Sequence, residues 1–204
     1  MVVINYGVGN LRSIVRGLQQ AGAEARITEN LRDIPSFDAV VFSGVGAFGS
    51  AMKILSTNQK TIKAAIRRKM PFLGICLGMQ VLFTESEESK VKKGLGIIPG
   101  KVVKLGGSVK IPHMGWNTLR ILRANPLVRG ISGGDYFYFV HSYISKPRDS
   151  GVVLATTKYG LEFPSIVARG KVYGVQFHPE KSGESGLRIL RNFVGIVKGV
   201  FPRD

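Results

Sequence analysis

The sequence predicts an α/β protein with a central, mostly parallel sheet and helices on both faces. Three observations predict it. Short apolar runs alternate with helix-period segments through the first half of the chain. These runs are nearly unbroken in apolar character, as strands covered on both faces require. One of them, at 72–75, leads directly into a glycine-flanked cysteine, and a helical pattern follows.

Taken in order, residues 2–5 read as a buried strand and Gly7-Val8-Gly9 as a turn. Asn10 is placed to cap a helix running to about Ala21, with Leu11, Ile14, Val15 and Leu18 on one face. Residues 24–27 and 39–42 read as the second and third strands, and a glycine-rich loop fills 43–49. Helices are expected at about 50–56 and 60–69, the second stopped by Pro71. Residues 72–75 form the fourth strand, and 79–86 read as helical. The second half changes character. Strand-like segments at 101–105, 117–121, 136–140, 152–157, 165–169 and 172–177 are separated by Gly and Pro turns, which suggests an added antiparallel or mixed section. An amphipathic helix at 185–198 carries Leu187, Leu190, Phe193, Val194 and Val197 on its apolar side. With no linker, repeat or low-complexity tract, residues 1–204 are expected to form one domain.

Composition narrows the function classes. At 44% apolar residues this is a globular composition, and no apolar run reaches membrane-span length. The N-terminus lacks a signal-peptide pattern. A single cysteine cannot form an internal disulfide, which fits a reducing, cytoplasmic compartment and asks what Cys76 is for. The net charge of +16 suits an acidic partner or an anionic substrate. It is spread along the chain without basic–aromatic interleaving, which argues against nucleic acid as the main ligand.

Gly74-Ile75-Cys76-Leu77-Gly78 has the form of a nucleophile elbow with cysteine in the place of serine. A sharp strand-to-helix turn strains the nucleophile's backbone, and flanking residues without Cβ atoms avoid clashes. The helix N-terminus favours thiolate, and the Leu77 amide N–H points where an oxyanion would form. Taken alone, the motif also fits a buried cysteine in a glycine turn. A cysteine hydrolase needs a base and a group to orient that base. His178-Pro179-Glu180 follows a strand, and an extended H-x-E puts both side chains on one side of the chain. An ordinary surface His and Glu at a strand end is the plainer reading of those three residues. The loop from Ser43 to Gly49 is placed to present backbone N–H groups beside the elbow. It lacks the lysine and hydroxyl of a phosphate loop. Gly7-Val8-Gly9 has Arg12 where a dinucleotide fingerprint needs its third glycine.

Together, GICLGMQ, VHSY and GVQFHPEKS resemble the class I, triad-type glutamine amidotransferases. NYGVGN, SGVGAFG, PHMGWN and YFVHSY narrow the resemblance to the glutaminase subunits of imidazole glycerol phosphate synthase, over nearly the whole chain. The resemblance implies a class I amidotransferase fold of flavodoxin-like type and a Cys76–His178–Glu180 triad that hydrolyses L-glutamine. It implies oxyanion donors at Leu77 and the Gly44–Val45 peptide. Gln80 and Glu88, with backbone from Ser142 and Tyr143, would hold the glutamine amino-acid group. For Glu88, which follows Glu85 and Glu87, a solvated acidic run is the other reading. No cofactor and no metal is implied. The implied partner is a cyclase subunit with a (β/α)8-barrel fold, forming a heterodimer that converts glutamine nitrogen into histidine precursors. Lys181 and the NYGVGN loop, including Asn10, would touch it. Met114, Trp116 and Tyr138 belong either to the core or to the partner face, and for Trp116 interface anchoring is the stronger reading. His113 and His141 read as structural. The family usually has proline where this chain has Ser43, so a fixed φ is lost in the oxyanion loop. Another class I glutaminase and a stand-alone cysteine hydrolase are the alternatives; PHMGWN and HPEKS speak against the first.

Overall fold

The computed structural model describes residues 1–7, 9–44, 46–90 and 93–201. Strand β1 (Val2–Ile4) leads to helix α1 (Leu11–Gln20), whose first turn is capped by the Asn10 side chain accepting from the Ser13 N–H. Strand β2 (Arg26–Thr28) and strand β3 (Val40–Gly44) follow, then helices α2 (Phe48–Thr57) and α3 (Gln59–Arg67). Strand β4 (Phe72–Cys76) runs into the single-turn helix α4 (Leu77–Gln80).

The chain continues through β5 (Phe83–Ser86), β6 (Ile98–Lys104), β7 (His113–Thr118) and β8 (Arg120–Ile121). Then come β9 (Tyr136–His141), β10 (Tyr143–Pro147), β11 (Val153–Tyr159), β12 (Leu161–Arg169) and β13 (Val172–Val175). Helix α5 (Gly183–Lys198) is the last described helix, closed by Gly199 in the left-handed conformation.

The main sheet has the order β2-β1-β3-β4-β13-β12-β11-β8. Its first five strands are parallel, and β12, β11 and β8 extend it antiparallel. The side chains alternate between two cores, as the period of two along a strand dictates. Val3, Val41, Leu73, Ile75 and Val175 face α1 and α5, packing with Leu11, Ile14, Leu18, Leu190 and Phe193. Val2, Ile4, Val40, Phe42 and Phe72 face α2 and α3, packing with Phe48, Met52, Leu55 and Ile62. Beside the main sheet lie a three-stranded sheet, β10-β6-β5, and the antiparallel ribbon β7–β9.

Two expectations are corrected. Residues 79–86 do not form a helix: α4 ends at Gln80, and Phe83–Ser86 is a strand paired with β6, Phe83 opposite Ile98. Val81, Leu82 and Phe83 are all buried, and a short unbroken apolar run carries no period to separate helix from strand. Tertiary pairing decides it. The segment expected at 117–121 is also two strands, with β7 pairing β9 and β8 pairing β11.

Candidate active site

The parallel strands all end at one edge of the sheet, and Cys76 stands at that edge with φ 54° and ψ −109°. Among the described residues only Lys69 and Cys76 have positive φ without being glycine. This is the strained turn expected of an elbow. Its glycines are set by close approach. A Cβ at Gly74 would run into the Gly78 carbonyl, and a Cβ at Gly78 into the Phe42 carbonyl. Leu77 opens α4 directly after the cysteine, so its N–H belongs to the first turn, which has no helical acceptor. Gly44, the last residue of β3, is the register partner of Cys76. Gly9 packs on it so closely that a Cβ there would lie 2.9 Å from the Gly44 Cα. Val45, the other residue of the expected oxyanion peptide, lies outside the described residues.

His178 follows β13 and Glu180 sits in the 3₁₀ turn Pro179–Lys181, both almost fully buried. The His178 Nδ1 lies 2.8 Å from a Glu180 carboxylate oxygen. A carboxylate only accepts, so Nδ1 carries the proton and Nε2 is left for the sulfur. Nε2 is buried and makes no hydrogen bond of ordinary geometry. Burial disfavours an imidazolium here, but the Cys76 side chain and Glu180 outweigh it and push His178 up to about 10. The backbone fixes the turn: the His178 N–H donates to the Tyr138 carbonyl at 2.8 Å, and the Ser182 hydroxyl donates to the His178 carbonyl at 2.6 Å. The thiol itself rests against the Val140 carbonyl, 3.7 Å away.

A cavity of about 280 Å³ opens beside the sulfur, lined by Cys76, Leu77, Gly46, Gln80, Glu88, Pro112 and the stretch 140–143. That is the small end of ligand pockets and suits a small polar substrate. Gln80 is buried, and its Nε2 donates to the Tyr143 carbonyl at 3.1 Å and to Gln176 Oε1 at 3.2 Å. Both Gln80 donors are therefore used, and its carbonyl oxygen remains for a ligand's amino group. Glu88 is not a free solvated carboxylate. It accepts from the Phe48 N–H at the start of α2, 3.2 Å away. Burial raises its carboxyl above the usual range, and that backbone bond partly offsets the rise. Ser142 and Tyr143 also line the cavity. The Ser142 carbonyl is taken by the Leu105 N–H at 2.8 Å.

The ribbon β7–β9 joins this cavity to an exposed surface. On its buried side His113 Nδ1 lies 3.0 Å from His141 Nε2, and His141 Nδ1 lies 2.9 Å from the Tyr143 carbonyl. Burial pushes His113 down to about 4. Burial also drives His141 down to about 3, with the neighbouring His113 and His178 adding to the effect, so both are neutral at pH 7. The carbonyl can only accept, so each ring carries its proton on Nδ1 and the pair forms a one-way chain ending at Tyr143. On the outer side Trp116 is 56% exposed and meets the Tyr138 ring edge-on at 5.9 Å, and Lys181 Nζ stands 5.7 Å from the centre of the same ring. Met114 is exposed beside them. This aromatic and cationic patch is one hydrogen bond from His178, through the Tyr138 carbonyl. Asn10 is exposed too, and its link to the site runs through Gly9 against Gly44.

Two groups at the sulfur escape the sequence reading. The Val140 carbonyl is backbone and leaves no mark in the sequence. Gln176 does leave one: it lies two residues before His178 in an extended segment, hence on the same side of the chain.

The family model "Glutamine amidotransferase class-I" matches residues 2–196. "Imidazole glycerol phosphate synthase subunit HisH" of Archaeoglobus fulgidus is 49% identical over 199 residues, covering 97% of this chain and 99% of that protein. The protein of the same name from Natronomonas pharaonis is 48% identical over 201 residues, covering 95% and 93%. Among solved structures, PurLQS from Thermotoga maritima superposes with a TM-score of 0.76 at 17% identity, covering 96% of this chain and 97% of that one, a likeness of fold. With a family match across nearly its whole length and relatives close to half identical, the chain belongs to the class-I glutamine amidotransferases.

Proposed function

We propose that this chain is the glutaminase subunit of an imidazole glycerol phosphate synthase, releasing ammonia from L-glutamine for a cyclase subunit. The observation that carries the chemistry is the strained Cys76 at the sheet edge with the buried His178–Glu180 pair beside it. The near-full-length relatives carry the choice among class I glutaminases.

The reaction follows from the groups present. Cys76 gives its proton to His178 Nε2, and Glu180 holds the resulting imidazolium. The thiolate attacks the side-chain carboxamide carbon of glutamine. The oxygen takes the negative charge, with the Leu77 N–H and the Gly44–Val45 peptide as its donors. Collapse breaks the C–N bond, and the leaving nitrogen takes the proton from His178, giving ammonia and a thioester. Water then loses a proton to His178 and attacks the thioester. The C–S bond breaks, glutamate leaves, and the thiolate is regenerated. Gln80 and Glu88 hold the substrate's amino group from one side, and the Ser142–Tyr143 backbone positions the rest.

Free ammonia is quickly protonated in bulk water, so release makes sense only against an acceptor enzyme. The exposed Trp116–Tyr138–Lys181 patch, adjoining the triad, is the surface we assign to that partner, with Asn10 at its second edge. The partner is a (β/α)8-barrel cyclase, both proteins acting in the cytoplasm. The test is a glutaminase assay of the chain alone, with the cyclase, and with the cyclase plus its nucleotide substrate. Strong stimulation only in the last mixture is expected; a rate indifferent to the cyclase would overturn the assignment of partner.

Ser43 lies at the end of β3, one residue before Gly44. Proline there would fix φ and restrict the backbone leading into the oxyanion loop. Ser43→Pro is expected to lower partner-free glutamine turnover about 2- to 5-fold, the ratio that about 0.4–1 kcal/mol of backbone freedom carries. Unchanged basal turnover would show that serine does not loosen the loop.

A further inference from the structure

We propose that Gln176 is a fourth catalytic residue: its side-chain N–H donates to the Cys76 sulfur and holds it as the thiolate. This deepens the glutaminase reading and rests on it.

The argument begins with register. Strand β13 runs parallel to β4, with Gly174 opposite Gly74 and Val175 opposite Ile75. Gln176 is the next residue, level with Cys76, and His178 follows two residues later. Val175 and Phe177 turn the other way into the core under α1 and α5. The end of β13 and the bend at 176–177 thus deliver two side chains to the sulfur. Gln176 is fully buried, and its Nε2 lies 3.6 Å from Cys76 Sγ.

Which end of that amide faces the sulfur is fixed by the chemistry around it. The Tyr143 carbonyl can only accept, so the end of Gln80 beside it is nitrogen. The same nitrogen has a second N–H, which runs 3.2 Å to Gln176. The Gln176 atom receiving it must be the oxygen. Its NH₂ end is therefore turned to the sulfur. Reversing either amide would set two donors or two acceptors against each other.

An N–H donor favours an anionic sulfur, whereas the Val140 carbonyl on another side favours the protonated thiol. Gln176 tips that balance before attack and again when the thioester C–S bond breaks and the sulfur leaves with the electron pair. Five titratable groups besides the thiol act in the same space. His178, backed by Glu180, is the proton acceptor. His141 is neutral. The buried Tyr6 hydroxyl, which has no hydrogen-bond partner among the described residues, also feels the sulfur. Glu88 lines the same cavity. None of them supplies the amide donor.

Because Cys76 is the only cysteine, alkylation of the full chain by iodoacetamide reads this one sulfur without glutamine or a partner. Gln176→Glu keeps the shape and the acceptor for Gln80 but removes the donor. Gln176→Met keeps the volume without adding charge. In both, the pH profile of alkylation is expected to move up by about one unit, with about a ten-fold slower rate at pH 7. Their glutaminase kcat is expected to fall more than KM rises. A folded Gln176→Met variant with the wild-type alkylation profile would leave Gln176 a packing residue and overturn the proposal. If neither variant folds, the native protein answers: the Gln176 side-chain ¹⁵N–¹H signal must shift as the thiol titrates, and a signal indifferent to that titration overturns it equally. Failure of the glutaminase reading would appear separately, as no glutamine turnover by the wild type with a normal alkylation profile.

Discussion

Cys76→Ala is expected to cut glutamine hydrolysis by about 10⁴-fold or more, because the covalent route disappears with the sulfur. Ammonia-dependent synthesis by the assembled cyclase should continue, since the acceptor chemistry does not pass through this residue. Residual glutamine turnover within about ten-fold of wild type would refute nucleophilic catalysis by Cys76. The same variant carries a pH signature. Burial alone would lower the proton affinity of His178; the sulfur and Glu180 reverse this and hold it at about 10. Without the sulfur, Glu180 stands alone against burial, and the His178 titration seen by NMR should fall. The sign for stability follows. A histidine raised in the folded state stabilises fully below its unfolded value, about 6.5, and loses that contribution as pH rises through about 10. The wild-type stability due to His178 should therefore decline between pH 7 and 10, and the decline should weaken in Cys76→Ala. Urea unfolding at both pH values measures it.

The parallel half of the fold was legible because its signals are local. The runs at 2–5, 39–42 and 72–75 are apolar on both faces, and the helices between them keep their period. The elbow was legible because close packing leaves only glycine at 74 and 78; the His178–Glu180 pairing was expected from an extended H-x-E, but Glu180 sits in the 3₁₀ turn Pro179–Lys181 and meets His178 Nδ1 from there. The rest depends on contacts between distant residues. Val81–Phe83 is buried whichever way it folds, and only pairing with β6 makes 83–86 a strand. The ribbon β7–β9, which sets His113 opposite His141 and Trp116 opposite Tyr138, is a pairing across more than twenty residues with no hairpin turn to announce it. For Glu88, expected to hold substrate, the sequence left a solvated acidic run as the other reading, and only the tertiary contact with the Phe48 N–H sets it apart from that run. The role of Gln176 emerges only from the chain of donors joining Tyr143, the two amides and the sulfur.

Gly78→Ala is expected to be among the most damaging single-methyl changes at the described glycines, costing about 3 kcal/mol or more. The new Cβ would meet the carbonyl oxygen and carbon of Phe42, which are backbone rather than a movable side-chain end. Phe42 itself is fully buried in β3, which is held on one side by β1 and on the other by β4. Neither wall can retreat without breaking a ladder. The one-turn helix α4 would have to lift instead, and with it Leu77, Gln80 and the cysteine it follows. Stability and activity should therefore fail together. Gly133→Ala is the control: its Cβ meets open space, and a change below about 0.5 kcal/mol is expected. Equal denaturation midpoints for the two variants would mean that α4 does not seat on the Phe42 carbonyl. The close approach that positions Leu77 beside the sulfur would then lose its physical basis.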